Sequence, residues 1–164
     1  ISALPQMKLA WIVVSGPSDL LGQALARLEV IADTYLSVSA PLAHALPTLL
    51  DMRRAIQPHI MERVRENLRF LDDHVTPPSP VSRLKCEGGW YAILRVPATR
   101  SDEDWTLDLI EQEQVLVHPG HFYDFPSEGH LILSLLPAPG IFQEGIAKLL
   151  AHIARRTQDK GRLS

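Results

Sequence analysis

Residues 76–80, Thr-Pro-Pro-Ser-Pro, cannot be helix, and the pattern of the chain changes across them. Proline lacks an N–H and its ring collides with the carbonyl four residues back. The stretch therefore reads as a short stiff linker. Before it, apolar residues recur at helical spacing. After it they gather in short β-branched and aromatic runs bounded by Gly and Pro. A chain of this kind is expected to place a strand and helices first, then a small sheet with two helices of its own.

On the N-terminal side, residues 9–15 (LAWIVVS) form a compact apolar run closed by Gly16-Pro17 and read as a buried strand. Pro17-Ser18-Asp19 opens a helix whose apolar positions, Leu20, Leu21, Ala24, Leu28, Ile31 and Ala32, extend to about Tyr35. Residues 37–41 break it. Residues 41–50 are expected to be helical, with Pro47 kinking or restarting the helix. A longer amphipathic helix is expected over 58–74, with Ile60, Val64, Leu68 and Leu71 as its apolar stripe.

On the C-terminal side, residues 81–86 and 90–96 flank Glu87-Gly88-Gly89 as a hairpin-like pair would. Ser101 and Asp104 make a capping-box-like start to a helix over 102–113. Residues 114–118 and 130–136 read as strands. Pro139 opens a final helix, where its missing N–H costs little, with Phe142, Ile146, Leu149, Leu150 and Ile153 as its stripe. The polar tail from Thr157 is expected to fray. The early strand has no obvious partner in the chain, which implies a sheet supplied from elsewhere.

Composition narrows the function classes. The 46% apolar and 21% charged content over 164 residues is that of an ordinary globular domain. A net charge of -3 offers no basic footprint for nucleic acid. One cysteine, Cys86, excludes an internal disulfide and a cysteine-rich metal site, and suits a reducing cytoplasm. No apolar run approaches the roughly 20 residues of a membrane helix.

Residues 1–16, ISALPQMKLAWIVVSG, read like the middle of a protein. They resemble the stretch that follows the Schiff-base lysine in class I/II aminotransferases, the fold-type I enzymes that use pyridoxal 5'-phosphate. Ala3, Leu4, Lys8, Leu9 and Ala10 fit that frame if the lysine stood just before Ile1. The Gly16-Pro17 helix start, the Glu87-Gly88-Gly89-Trp90-Tyr91 turn, the Val117-His118-Pro119-Gly120 loop and the strand–Pro–helix ending follow in the family's order. The resemblance implies an α/β chain: a large-domain strand and helix in residues 1–47, then an α+β small domain in 48–164 with a mainly antiparallel sheet covered by helices. It also implies amino-acid and 2-oxo-acid substrates, a homodimer and a missing N-terminal part of the same protein.

Pyridoxal phosphate demands a lysine, an acid at the ring nitrogen and donors at the phosphate. By the resemblance the lysine lies outside the chain, so no catalytic residue is expected within it. Lys8 stands where the family usually has a phosphate-gripping arginine; it offers a point charge in place of two parallel hydrogen bonds. The alternative for Lys8 is a solvated surface lysine. Trp90 and Tyr91 are candidates to line the substrate pocket, and strand alternation sends one of them elsewhere. Trp90 is the one expected near the site. Residues 35–40 match a loop that in the family approaches the neighbouring subunit's cofactor, or else are a simple helix end.

Aligned on Gly129 and Ser134, the position of the family's carboxylate-binding arginine is Ile132, which cannot bind a carboxylate. His130, Arg95 and Arg100 are possible substitutes. The alternative function is a non-catalytic aminotransferase-fold domain with an assembly or regulatory role. His118, His121 and Asp124 suggest a metal site, but Pro119-Gly120 makes the segment a turn and ordinary loop histidines are expected. Ser18 and Ser39 lack a nucleophile-elbow context, and Cys86 reads as a core residue.

Overall fold

The computed structural model describes residues 5–35 and 37–161, and the side chains up to residue 158. Ala3 and Leu4 of the opening motif, and Leu36 of the loop noted above, lie outside the described residues. The chain divides into two compact units, Ile1–Pro58 and His59–Ser164.

The first unit opens with a 3₁₀ turn, Pro5–Met7, and carries helix α1, Ser18–Asp33. No residue of α1 is buried, and Leu42 is the one buried hydrophobic residue described in this unit. Here the expectation for residues 9–15 is corrected. They form no strand, and Trp11, Ile12 and Val13 are 53%, 76% and 85% exposed. β-branched composition marks a segment that fits a pleated, half-buried surface, but a strand exists only once another pairs with it. Among the described residues, none does.

Helix α2 runs Ala40–His74 with Pro47 and Pro58 inside it, and the boundary between the units falls at Pro58. The sequence suggests two helices here. Each proline removes one donor, but the residues between them, Thr-Leu-Leu-Asp-Met-Arg-Arg-Ala-Ile-Gln, are mostly good helix formers, so the helix resumes on both sides.

The second unit is built on a sheet of four strands in the order β1-β2-β4-β3. These are β1 (Ser82–Arg83), β2 (Tyr91–Arg95), β3 (His118–Pro119) and β4 (His130–Ser134). Every adjacent pair is antiparallel. Gly89 has φ 75°, a left-handed conformation that suits glycine in the turn leading into β2. Helix α3 spans Asp102–Asp108, and Ser101 Oγ accepts the Asp104 N–H at 3.0 Å, as the capping pattern requires. A π-turn, Leu109–Glu113, continues α3 and stops at Gln114, whose φ is 58°. Helix α4 occupies Pro139–Gly161, so it carries on past Thr157, where fraying is expected.

One face of the sheet makes the core. Ala92 and Leu94 of β2, with Leu131 and Leu133 of β4, pack with Val64 and Leu71 of α2, Trp105 of α3, and Phe142, Ile146, Leu149 and Ile153 of α4. Trp105 is fully buried and donates its Nε1–H to the Pro97 carbonyl at 3.2 Å. Among the described residues, no helix is long and apolar enough to cross a membrane.

Candidate functional site

The period of two along β2 and β4 sends the intervening residues to the opposite face. Paired across the ladder there are Tyr91 with Ser134, Ile93 with Ile132, and Arg95 with His130. From the other side of β4, His118 of β3 also stands opposite Ile132. Ile132 is therefore buried (3% exposed) without belonging to the main core cluster.

Aromatic groups rim one side of this face. A 3₁₀ turn, Gly120–Tyr123, follows β3 directly, so Tyr123 returns towards His118. The two side chains are joined by a 2.9 Å hydrogen bond between His118 Nδ1 and the Tyr123 hydroxyl. The Tyr91 and Tyr123 rings meet edge to face with centroids 5.8 Å apart. Burial, then the hydrogen bond to Tyr91 and its charge, raise the Tyr123 hydroxyl above its ordinary pKa, so it is neutral at physiological pH. The rim thus presents hydroxyl and imidazole groups.

The sequence candidates fall as follows. Ile132 lies at the centre of this face. Trp90 precedes β2; its carbonyl accepts the Leu135 N–H at 2.7 Å, the residue is 48% exposed, and its ring is centred 6.3 Å from that of Tyr91. By strand alternation Tyr91 is the one that shares the Ile132 face. Of the three proposed substitutes for the missing arginine, two are engaged elsewhere. His130 is buried, stacks on Phe125 at 4.4 Å, and has Nδ1 3.1 Å from the Ser127 carbonyl oxygen. Arg100 pairs with Asp108 and lies 5.4 Å from the Trp105 ring centroid. Arg95 is exposed. Lys8, in the first unit, is exposed with a left-handed backbone (φ 55°), its own N–H donating to the Pro5 carbonyl at 3.3 Å. An exposed ammonium of this kind fits one phosphate oxygen of pyridoxal phosphate. No group of three or more His, Cys, Asp or Glu among the described residues is arranged to hold a metal ion. Cys86 is half-buried, with Sγ 3.4 Å from the Tyr91 carbonyl oxygen.

Two polar constructions escape the sequence. Asp102 is 1% exposed and accepts the backbone N–H groups of Gly129 at 2.6 Å, His130 at 3.0 Å and Gly120 at 3.2 Å. It thereby ties α3 to the loop after β3 and to the start of β4. In the sequence it passes for an ordinary first-turn acid; Gly120 and Gly129 around it are the one available signal. The second construction joins the end of α3 to α4. His152, 1% exposed, has Nδ1 3.0 Å from Glu113 Oε1 and Nε2 3.7 Å from Asp108 Oδ2. Arg155 pairs with Glu113, and Arg156 with Asp108 at 3.1 Å. The Arg100 hydrogen bond holds the Asp108 carboxyl below its ordinary pKa, and the His152 hydrogen bond does the same for Glu113.

This fold is that of the C-terminal region of aminotransferases that use pyridoxal phosphate. An aminotransferase structure from Escherichia coli superposes with a TM-score of 0.72 at 25% identity, covering 88% of this chain and 37% of that one. A pyridoxal-phosphate-dependent aminotransferase from Streptococcus suis gives 0.76 at 19% identity, covering 93% and 39%. In sequence, the chain is 27% identical over 150 residues to the glutamate-pyruvate aminotransferase AlaA of Haemophilus influenzae, 88% of this chain and 37% of that protein. It is 25% identical over 136 residues to an alanine aminotransferase of Mycobacterium tuberculosis, 79% and 32%. No family model matches the chain. The relatives and the structural neighbours agree with the class I/II aminotransferases as the family that the chain resembles. The chain spans a little over a third of the length of the first of these relatives.

Proposed function

We propose that this chain is the C-terminal portion of an aminotransferase that moves an amino group between an amino acid and a 2-oxo acid. The observation that carries the reading is the similarity to glutamate-pyruvate and alanine aminotransferases over 79–88% of the chain. In this reading residues 1–47 belong to the large, cofactor-binding domain and 48–164 to the small domain. The complete protein is a cytoplasmic homodimer.

When bound, pyridoxal phosphate supplies the electron sink that makes the substrate's Cα–H acidic. The part left to this chain is binding and orientation. Lys8 would hold a phosphate oxygen through its ammonium. Ile132 would line the substrate pocket, with Tyr91 rather than Trp90, and the Tyr123–His118 pair, beside it as hydrogen-bonding groups. The lysine that the reaction needs falls, in the motif frame, immediately before Ile1. The 164 residues by themselves are therefore expected to be inactive.

A second reading, a non-catalytic domain kept for assembly or regulation, draws on Ile132, an apolar residue at the position where the family carries a cation. The residue encoded before Ile1 separates the two. Lysine there supports the enzyme, and any other residue sinks the catalytic reading. In the complete protein, Lys8→Met should weaken pyridoxal phosphate binding, measured by equilibrium dialysis, by about ten-fold, the loss of one charge-assisted hydrogen bond.

A further inference from the structure

An amino acid or 2-oxo acid carries a carboxylate, and a carboxylate leaving water needs hydrogen-bond donors, of which a guanidinium is the strongest single one. The Ile132 side chain supplies none. We propose that Arg95, on the neighbouring strand, is the cation that binds the substrate carboxylate, and that the ligand it selects is a carboxylate with a small apolar substituent. The proposal rests on the aminotransferase reading.

The ladder supplies the geometry. Ile93 is directly opposite Ile132, and Arg95 is opposite His130, so Arg95 is the diagonal neighbour of Ile132 on the same sheet face. Diagonal positions across an antiparallel pair lie about 7–8 Å apart, within the reach of a long side chain. The guanidinium is also uncommitted: the Arg95 side chain makes no hydrogen bond or ion pair among the described residues, and it is exposed. The other arginine on the sheet, Arg83, faces the opposite way beside Leu94 and is paired with Asp72 at 2.5 Å. Arg100 is held by Asp108 and Trp105. His118 is bonded to Tyr123, and His130 is committed to Ser127 and Phe125.

Arg95 keeps the planar fork that grips a carboxylate through two parallel bonds. Half-buried Ile93, backed by buried Ile132, then offers apolar surface beside it, which favours a substituent that is neither charged nor strongly polar. A cation one strand over thus does what an arginine at position 132 would do, with the carboxylate displaced along the sheet.

The test uses the complete polypeptide that contains this chain and reads equilibrium binding by calorimetry, with 2-oxobutanoate and its amide as probes. The unaltered protein should prefer the acid. Arg95→Met should remove that preference, an acid-affinity loss of about ten-fold or more, while leaving the amide's affinity in place. Arg95→Lys should keep part of it. Ile132→Arg added to Arg95→Met should restore it. A general structural defect would weaken both probes alike. Equal binding of acid and amide by the unaltered protein, or an undiminished preference in Arg95→Met, overturns the assignment. If only variants with arginine at 132 bind the acid, Arg95 is wrong and the aminotransferase reading stands. If no variant binds either probe, both fail.

Discussion

Asp102 accepts the N–H of Gly129 at 2.6 Å from a position where it is almost wholly sealed from solvent. Two more backbone N–H groups share the carboxylate, and a Cβ added at Gly120 would stand 2.6 Å from its second oxygen. Asp102→Ala should leave buried donors without a partner and cost about 3 kcal/mol or more, since each stranded donor costs roughly 1–3 kcal/mol. Asp102→Asn keeps one acceptor oxygen and should cost less. Gly120→Ala should destabilise by about 1–3 kcal/mol through crowding. Urea denaturation of the chain checks all three, and an Asp102→Ala chain as stable as the original would refute the role.

The Asp108–Glu113–His152 junction predicts an acid limit. Both carboxyls have pKa values lowered in the folded state, Asp108 chiefly by Arg100 and Glu113 chiefly by His152. A lowered carboxyl contributes stability above its unfolded pKa, about 4, and loses it as pH falls through the folded value. The urea midpoint should therefore fall steadily below about pH 4. Asp108→Asn should flatten that fall while lowering stability at neutral pH. A midpoint unchanged between pH 6 and pH 3 would refute it.

How much of this was legible in the sequence depended on where the information lay. The capping serine Ser101, the core stripe of α4 and the separate strands β2 and β4 follow from local sequence pattern, because each element buries a face within its own unit; the pairing of β2 with β4 does not. Residues 9–15 were misleading for a physical reason: β-propensity reports a surface that suits a sheet, and no described strand completes one. The prolines of α2 suggested a break that neighbouring helix formers overrode. For the site, Ile132 was legible by alignment. Arg95 stood among three possible substitutes, and the choice was not legible, because it is 37 positions away in sequence and reaches the same face only through the ladder register. Asp102 resembles any acid in a first helical turn until Gly120 and Gly129 are seen to close on it.

Tyr123 predicts an alkaline effect of opposite sign. Its hydroxyl is raised above the ordinary tyrosine value, first by burial and then by Tyr91. The neutral form is the one stabilised, so its contribution is full below about pH 10 and is lost as pH rises through the folded value. The phenolate absorbance of the chain should therefore keep rising above the ordinary tyrosine range, and the latest part of that rise belongs to Tyr123. Tyr123→Phe should remove that late rise, and Tyr91→Phe should move it to lower pH. A Tyr123→Phe titration that retains the late rise would contradict the assignment.

The unequal distribution of buried residues predicts how the chain comes apart. Every member of the main hydrophobic cluster, from Val64 to Ile153, lies in the second unit. A fragment of residues 59–164 therefore retains the whole core and should fold with a single cooperative urea transition. Within it, Leu149→Ala should cost about 2–5 kcal/mol, because Leu149 is fully buried. Leu116→Ala should cost little, because Leu116 is 70% exposed. Residues 1–58 expose Leu20, Val30 and Ile31 along α1 and have little burial to offset chain entropy, so alone they should show weak, non-cooperative helicity by circular dichroism. A sharp transition in that fragment, or none in 59–164, would mean that the stability of the chain resides somewhere other than this core.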